Sequence, residues 1–155
     1  MIEDIILEKI ADCFINITVY KPIKDIKPLQ EIVNKTYNKY KKDYEYKVID
    51  KLNIVLIKHY KLSGDDIMDI DFQDTENFEI LEQRDLNDGK KLIKVFFGGD
   101  WQEPVTAEII FDEQTKSFCI KDYNPKEIVI DMYPLGYEMY TYILTTPKCQ
   151  FCNKT

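Results

Sequence analysis

Arginine is almost missing from this sequence. Arg84 stands alone against 20 lysines, and the formal net charge is −7. The guanidinium fork is the group suited to bidentate contacts with phosphate and guanine. Its scarcity in an acidic chain excludes sequence-specific reading of nucleic acid. Histidine is as scarce. His59 is the only one, so no two-histidine metal site can form, and any Ser-His-Asp or Cys-His set would have to be built on His59. The five glycines make no phosphate-cradling loop, because Gly98-Gly99 is followed by neither a Lys-Ser/Thr pair nor a helix. No apolar run approaches the roughly 18 residues that a membrane helix needs, and no membrane partner is expected. Glu3 and Asp4 stand where a signal peptide would be basic, so the expected location is cytoplasmic. There the four cysteines, Cys13, Cys119, Cys149 and Cys152, are expected as free thiols.

What the chain does have is a core. It is 155 residues long and 45% hydrophobic, which suits one folded domain and excludes general disorder. Its best-defined stretch is Leu92 to Ile120. Val105, Ala107, Ile109 and Phe111 alternate with polar neighbours up to Asp112, the period of a strand with one dry face. Asp112 to Lys116 has the length of a hairpin loop, and Phe118 and Ile120 resume the dry face. Leu92 to Phe97 is a further strand, stopped by Gly98-Gly99. Pro104 belongs at a strand start or on an edge. Trp101, the single tryptophan, therefore lies on a connection or bulge. It is either a lid on the sheet end or an exposed anchor for a partner.

Residues 2 to 14 read as a helix with Ile2, Ile6, Ile10 and Phe14 on one face. Ile15, Ile17 and Val19 either extend it or form a short strand before Pro22. A second helix begins near Pro28 and carries Leu29, Ile32, Val33, Tyr37 and Tyr40. Residues 44 to 61 read as its continuation, bent near Asp43 and ended by Gly64. A hairpin turning at Asp50 to Asn53 is the competing reading. Residues 65 to 77 are acidic and weakly periodic and read as a loop. Phe78 to Gln83, Glu127 to Met132 and Tyr137 to Thr145 read as strands, with turns at Asn87-Asp88-Gly89, Asn124-Pro125 and Pro134 to Gly136. The segment 146–155 is expected to be a mobile tail. Helices first and strands after give an α+β domain, with the helical part at 1–64 and the β part at 77–145. The N-terminal helices would pack on one face of an antiparallel sheet of about five or six strands.

Charge is unevenly spread. Residues 21–61 hold 11 lysines against five acids, a block of +6, and residues 65–88 hold ten acids against Arg84, a block of −9. Blocks of this kind steer association. Solvated faces would account for them. So would an acidic docking surface for a basic partner, made of Asp65, Asp66, Asp69, Asp71, Asp74 and Glu76 together with Trp101.

Catalytic motifs remain fragments. Cys149-x-x-Cys152 is half of a zinc or redox motif. Asp69-x-Asp71-x-Gln73 starts like a calcium loop, but Asp74 stands where glycine is required and Ile80 where the bidentate glutamate belongs. Glu45-x-Lys47 has the local form of a nuclease motif without a secure strand to carry it. Tyr37, Tyr40, Tyr44 and Tyr46 lie among lysines, a pattern that can stack on single-stranded bases but more often serves a core or interface.

The run Gly99-Asp100-Trp101-Gln102-Glu103-Pro104-Val105 resembles a Gly-Asp-Trp-Glu-x-Pro-Val pattern of small uncharacterised bacterial proteins. It spans seven residues, with Gln102 in place of the pattern's glutamate. The resemblance implies an antiparallel sheet and a bacterial or phage setting, and it brings no activity. The reading that follows is a small acidic, non-enzymatic protein-binding module without cofactor or metal. Immunity proteins and phage-encoded inhibitors of host proteins do this kind of work. Its partner would be a protein with a basic surface, and a homo-oligomer is compatible with it. The alternative is a metal-dependent hydrolase of nucleic acid or nucleotide.

Overall fold

The computed structural model describes residues 1–132 and 134–152. In chain order the elements are α1 (Ile2–Ile10), β1 (Phe14–Val19), α2 (Ile26–Tyr40), α3 (Glu45–Tyr60) and a 3-10 turn (Gly64–Asp66). Then come β2 (Ile67–Phe72), β3 (Glu79–Asp85), β4 (Lys90–Phe97), β5 (Val105–Asp112), β6 (Ser117–Asn124), β7 (Glu127–Met132) and β8 (Tyr137–Thr145). They form two compact units. One joins Met1–Cys13, Gln73–Pro125 and the segment from Lys148 onward; the other joins Phe14–Phe72 and Lys126–Pro147.

The first unit is a meander, β3-β4-β5-β6, with every pair antiparallel. Its dry face is the one legible in the alternation. Ile93, Val95 and Phe97 on β4 and Val105, Ala107, Ile109 and Phe111 on β5 are all buried, with Ile120 and Tyr123 on β6. Helix α1 adds Ile6 and Ile10, one helical turn apart and both buried, and it lies against β6. Each such aliphatic or aromatic side chain contributes about 1.5–3 kcal/mol on leaving water. The helix ends early: Asp12 takes a left-handed backbone at φ 65°, and Cys13 starts a different course.

The second unit is a sheet in the order β2-β1-β8-β7, also antiparallel throughout. Helices α2 and α3 cover one face. Ile15, Ile17, Val19, Ile70, Phe72, Tyr142 and Leu144 meet Leu29, Ile32, Val33, Val48, Leu52 and Leu56 there in one core. The Asp25 side chain caps α2 by accepting from the Lys27 N–H at 3.1 Å. The hydroxyl of buried Tyr142 accepts from the Ile23 N–H at 2.7 Å and fixes the approach to that helix. Helix α3 ends where Lys61 turns left-handed at φ 56°. Lys61, not Gly64, is the stop, and Gly64 opens the 3-10 turn.

Several expectations are corrected. The fold is α+β, but it has two sheets of four strands in place of one of five or six, and the helices do not share a single sheet. Of the two readings open for Ile15, Ile17 and Val19, the strand holds, running from Phe14 with every residue but Thr18 buried, and the helix expected to reach residue 14 is cut back to Ile10. The loop expected over 65–77 holds only for 73–77: residues 64–66 form the 3-10 turn and 67–72 form β2, with Asp69 and Asp71 exposed and Ile70 and Phe72 in the core. The cysteines are not free thiols. Cys13 is bonded to Cys149 and Cys119 to Cys152, with Cα separations of 5.3 and 5.0 Å. Nor is the tail loose up to residue 152. Ile120 N–H donates to the Gln150 carbonyl and Cys152 N–H to the Ile120 carbonyl, both at 2.8 Å, in a parallel bridge alongside β6. The rest of that expected tail, 153–155, lies outside the described residues.

Candidate functional site

Within the first unit, the acidic segment 73–77 and the β4–β5 connection 98–104 are stitched together. The Asp74 N–H donates to Gln102 Oε1 at 2.6 Å. Gln73 Nε2 donates to the Glu103 carbonyl at 3.2 Å, and the Asn77 N–H donates to the Gly98 carbonyl at 3.0 Å. The approach needs glycine. A Cβ on Gly99 would come within 2.8 Å of the Asp74 side chain, and one on Gly98 within 2.9 Å of Pro104 Cα.

The result is a knuckle with Trp101 at its tip, 96% exposed. The same two segments carry Asp100, Glu103 and Glu76, all exposed, and the half-buried Asp74. Neither segment contains a lysine or arginine. Among the described residues none of these four carboxylates is in an ion pair. The exposed indole on two acidic segments gives the chain little packing, and an exposed tryptophan is the residue type enriched at binding hot spots. Chemically it can fill an apolar pocket while its rim meets cations.

The other expected docking residues lie in the second unit. Asp65 is exposed in the 3-10 turn, and Asp69 and Asp71 are exposed on β2. Asp66 has a local job: it accepts from the Ser63 N–H at 2.7 Å in a capping box and pairs with Lys21 at 3.3 Å. Its carboxyl is held below the usual range, first by that backbone hydrogen bond and then by Lys21. Asp85 is likewise paired, with Lys91 at 3.2 Å. Of the residues on segments 73–77 and 98–104, the sequence names Trp101, Asp74 and Glu76 as candidates. It does not name Asp100 and Glu103, on either side of the tryptophan, or Gln102, whose side-chain oxygen accepts from the Asp74 N–H at the one position departing from the seven-residue pattern.

The catalytic fragments do not assemble. Cys149 and Cys152 are bonded to other cysteines, not to each other or to a metal. Asp69 and Asp71 lie along an extended strand, and Gln73 is turned to Glu103, so no coordinating loop forms. Glu45 and Lys47 sit in the first turn of α3. His59 is exposed near the end of α3, edge-on to Tyr60 at 4.7 Å. Among the described residues no three His, Cys, Asp or Glu side chains gather as a metal-ligating group, and no helix is long and apolar enough to cross a membrane. No protein-family model, curated protein or solved structure matches the chain, so the site is read from its own chemistry.

Proposed function

We propose that this chain is a non-catalytic protein-binding module that engages a basic partner through the Trp101 knuckle. The observation that carries the reading is the exposed indole held by three hydrogen-bonded stitches beside Asp74, Glu76, Asp100 and Glu103. A tryptophan anchor with a charged rim is the usual layout of a binding hot spot. Asp65, Asp69 and Asp71 serve the same partner by long-range attraction, and Asp66 acts as a positioning residue for its turn. An immunity or inhibitor role in a bacterial or phage setting fits this chemistry, since a nucleic-acid-binding partner would present the basic surface. The cytoplasm is a weaker fit than the sequence implied. Free thiols were the corollary of that location, and two disulfides suit an oxidising compartment.

The test is affinity purification from native lysate with the unchanged chain, Trp101→Ala, and an Asp100→Lys/Glu103→Lys pair. A specific protein retained by the first and lost by both variants supports the proposal. Equal recovery by all three refutes it.

A further inference from the structure

Helices α2 and α3 leave between them a groove of about 710 Å³. Its lining includes the apolar Ile32, Ile54 and Val55 and the cationic Lys35, Lys39 and Lys51. Lys35 and Lys39 are one turn apart on α2; Lys51, Ile54 and Val55 follow one face of α3. The groove therefore tracks the helices over several turns. Ile54 is 59% exposed and Val55 36%, so α3 shows aliphatic side chains to water in the midst of lysines. Lys39 from one helix and Lys51 from the other each stand 5.4 Å from the Tyr40 ring centroid, which gathers two cations at one end of the groove. Among the described residues none of the three lysines is in an ion pair. Glu31 is the one carboxylate in the lining.

We propose that this groove binds an acidic amphipathic helix from a partner protein. Its apolar stripe lies along Ile32, Ile54 and Val55, and its carboxylates meet Lys35, Lys39 and Lys51. Aliphatic side chains at helical spacing along the groove suit a rod of side chains recurring at i, i+3, i+4 and i+7. They do not suit a flat bilayer or a nucleic-acid backbone, which would want cations throughout. The lysines select the charge of the ligand. The groove belongs to the second unit and the Trp101 knuckle, of opposite charge, to the first, and neither reading depends on the other.

A labelled synthetic helix of about five turns, leucine on one stripe and glutamate elsewhere, is titrated with the full chain and followed by fluorescence anisotropy. Saturable binding is expected, weakened roughly tenfold or more by Lys35→Glu/Lys39→Glu/Lys51→Glu and by exposed Ile54→Asp, with circular dichroism unchanged. The same peptide with glutamine for glutamate should bind roughly tenfold more weakly. Should the lysine variant misfold, the Ile54 variant and the peptide pair still decide. Equal affinity for the two peptides, or variants that bind as the parent does, overturns the proposal. So does uptake by anionic phosphatidylglycerol vesicles without peptide binding, which assigns the face to a membrane. A dimer on sizing that Ile54→Asp abolishes overturns it in favour of a second copy.

Discussion

The backbone N–H of Asp74 and the side-chain oxygen of Gln102 meet at 2.6 Å across 28 residues of sequence. This bond holds the acidic segment against the tryptophan loop, and Gly99 makes the approach sterically open. Gln102→Ala should cost about 1 kcal/mol, or up to about 3 if the Asp74 N–H is left without a partner. Gly99→Ala should cost about 1–3 kcal/mol, because the added methyl meets the Asp74 side chain and the loops must part. Urea unfolding gives the energies. Faster amide exchange confined to residues 73–77 and 98–104 would show that the effect is local.

Trp101 should behave in the opposite way, dispensable for folding and needed for docking. Since 96% of it is exposed, Trp101→Ala should change stability by no more than about 0.5 kcal/mol. Its fluorescence in the free chain should be red-shifted and quenched by acrylamide as readily as that of free tryptophan. Partner binding should shift it to the blue and protect it. A large loss of stability on substitution, or a blue-shifted, protected indole in the free chain, would mean that Trp101 is a lid after all.

Much of the fold is legible in the chain, and the failures have physical causes. Strands β5, β7 and β8 occupy the residues their alternation and turns predict, because hairpin-connected strands are specified locally. β2 is missed because only Ile70 and Phe72 are buried, with Ile67 half-buried against the same core, and they lie among acids with too little alternation to outweigh the charge. The division into two units is hidden since neither is continuous in sequence and no linker marks the boundary. Cysteine pairing is hidden too: Cys13 and Cys149 are 136 residues apart, and spacing alone cannot assign partners. Trp101 and Asp74 are recognisable as residue types, but their meeting depends on Gln102 and Gly99, whose roles exist only once the loops have come together.

Alkaline pH should destabilise the first unit through Tyr123. Burial, with Asp122 as the lesser cause, pushes its hydroxyl up to about 12 from the ordinary 10.0. The unfolded chain therefore loses this proton first as pH rises. The contribution to stability is intact below pH 10 and disappears between 10 and 12, a loss of roughly 2–3 kcal/mol. Tyr142 is raised by burial as well and acts in the same sense. Tyr123→Phe should flatten part of the decline in urea midpoint across that window. A slope identical to the parent's would show that Tyr123 ionises as easily folded as unfolded.

The two disulfides make the carboxyl-terminal segment part of the first unit, and their removal should show it. Cys119 and Cys152 are 33 residues apart, and Cys13 and Cys149 are 136 apart. In the chain-entropy view, closing such loops contributes roughly 4 and 5 kcal/mol respectively, a large share of a small protein's stability. Cys119→Ser/Cys152→Ser should therefore lower the unfolding free energy by about 4 kcal/mol. It should also free the strand-like contact of Gln150 and Cys152 with Ile120, seen as loss of amide protection at Ile120 and Cys152. The unreduced parent should take up no alkylating reagent under denaturing conditions, and all four cysteines should react after reduction. Labelling before reduction would show free thiols and return the protein to a reducing compartment. Full protection, with loss of the folded state under cytosolic thiol conditions, would mean that this chain folds where disulfides persist.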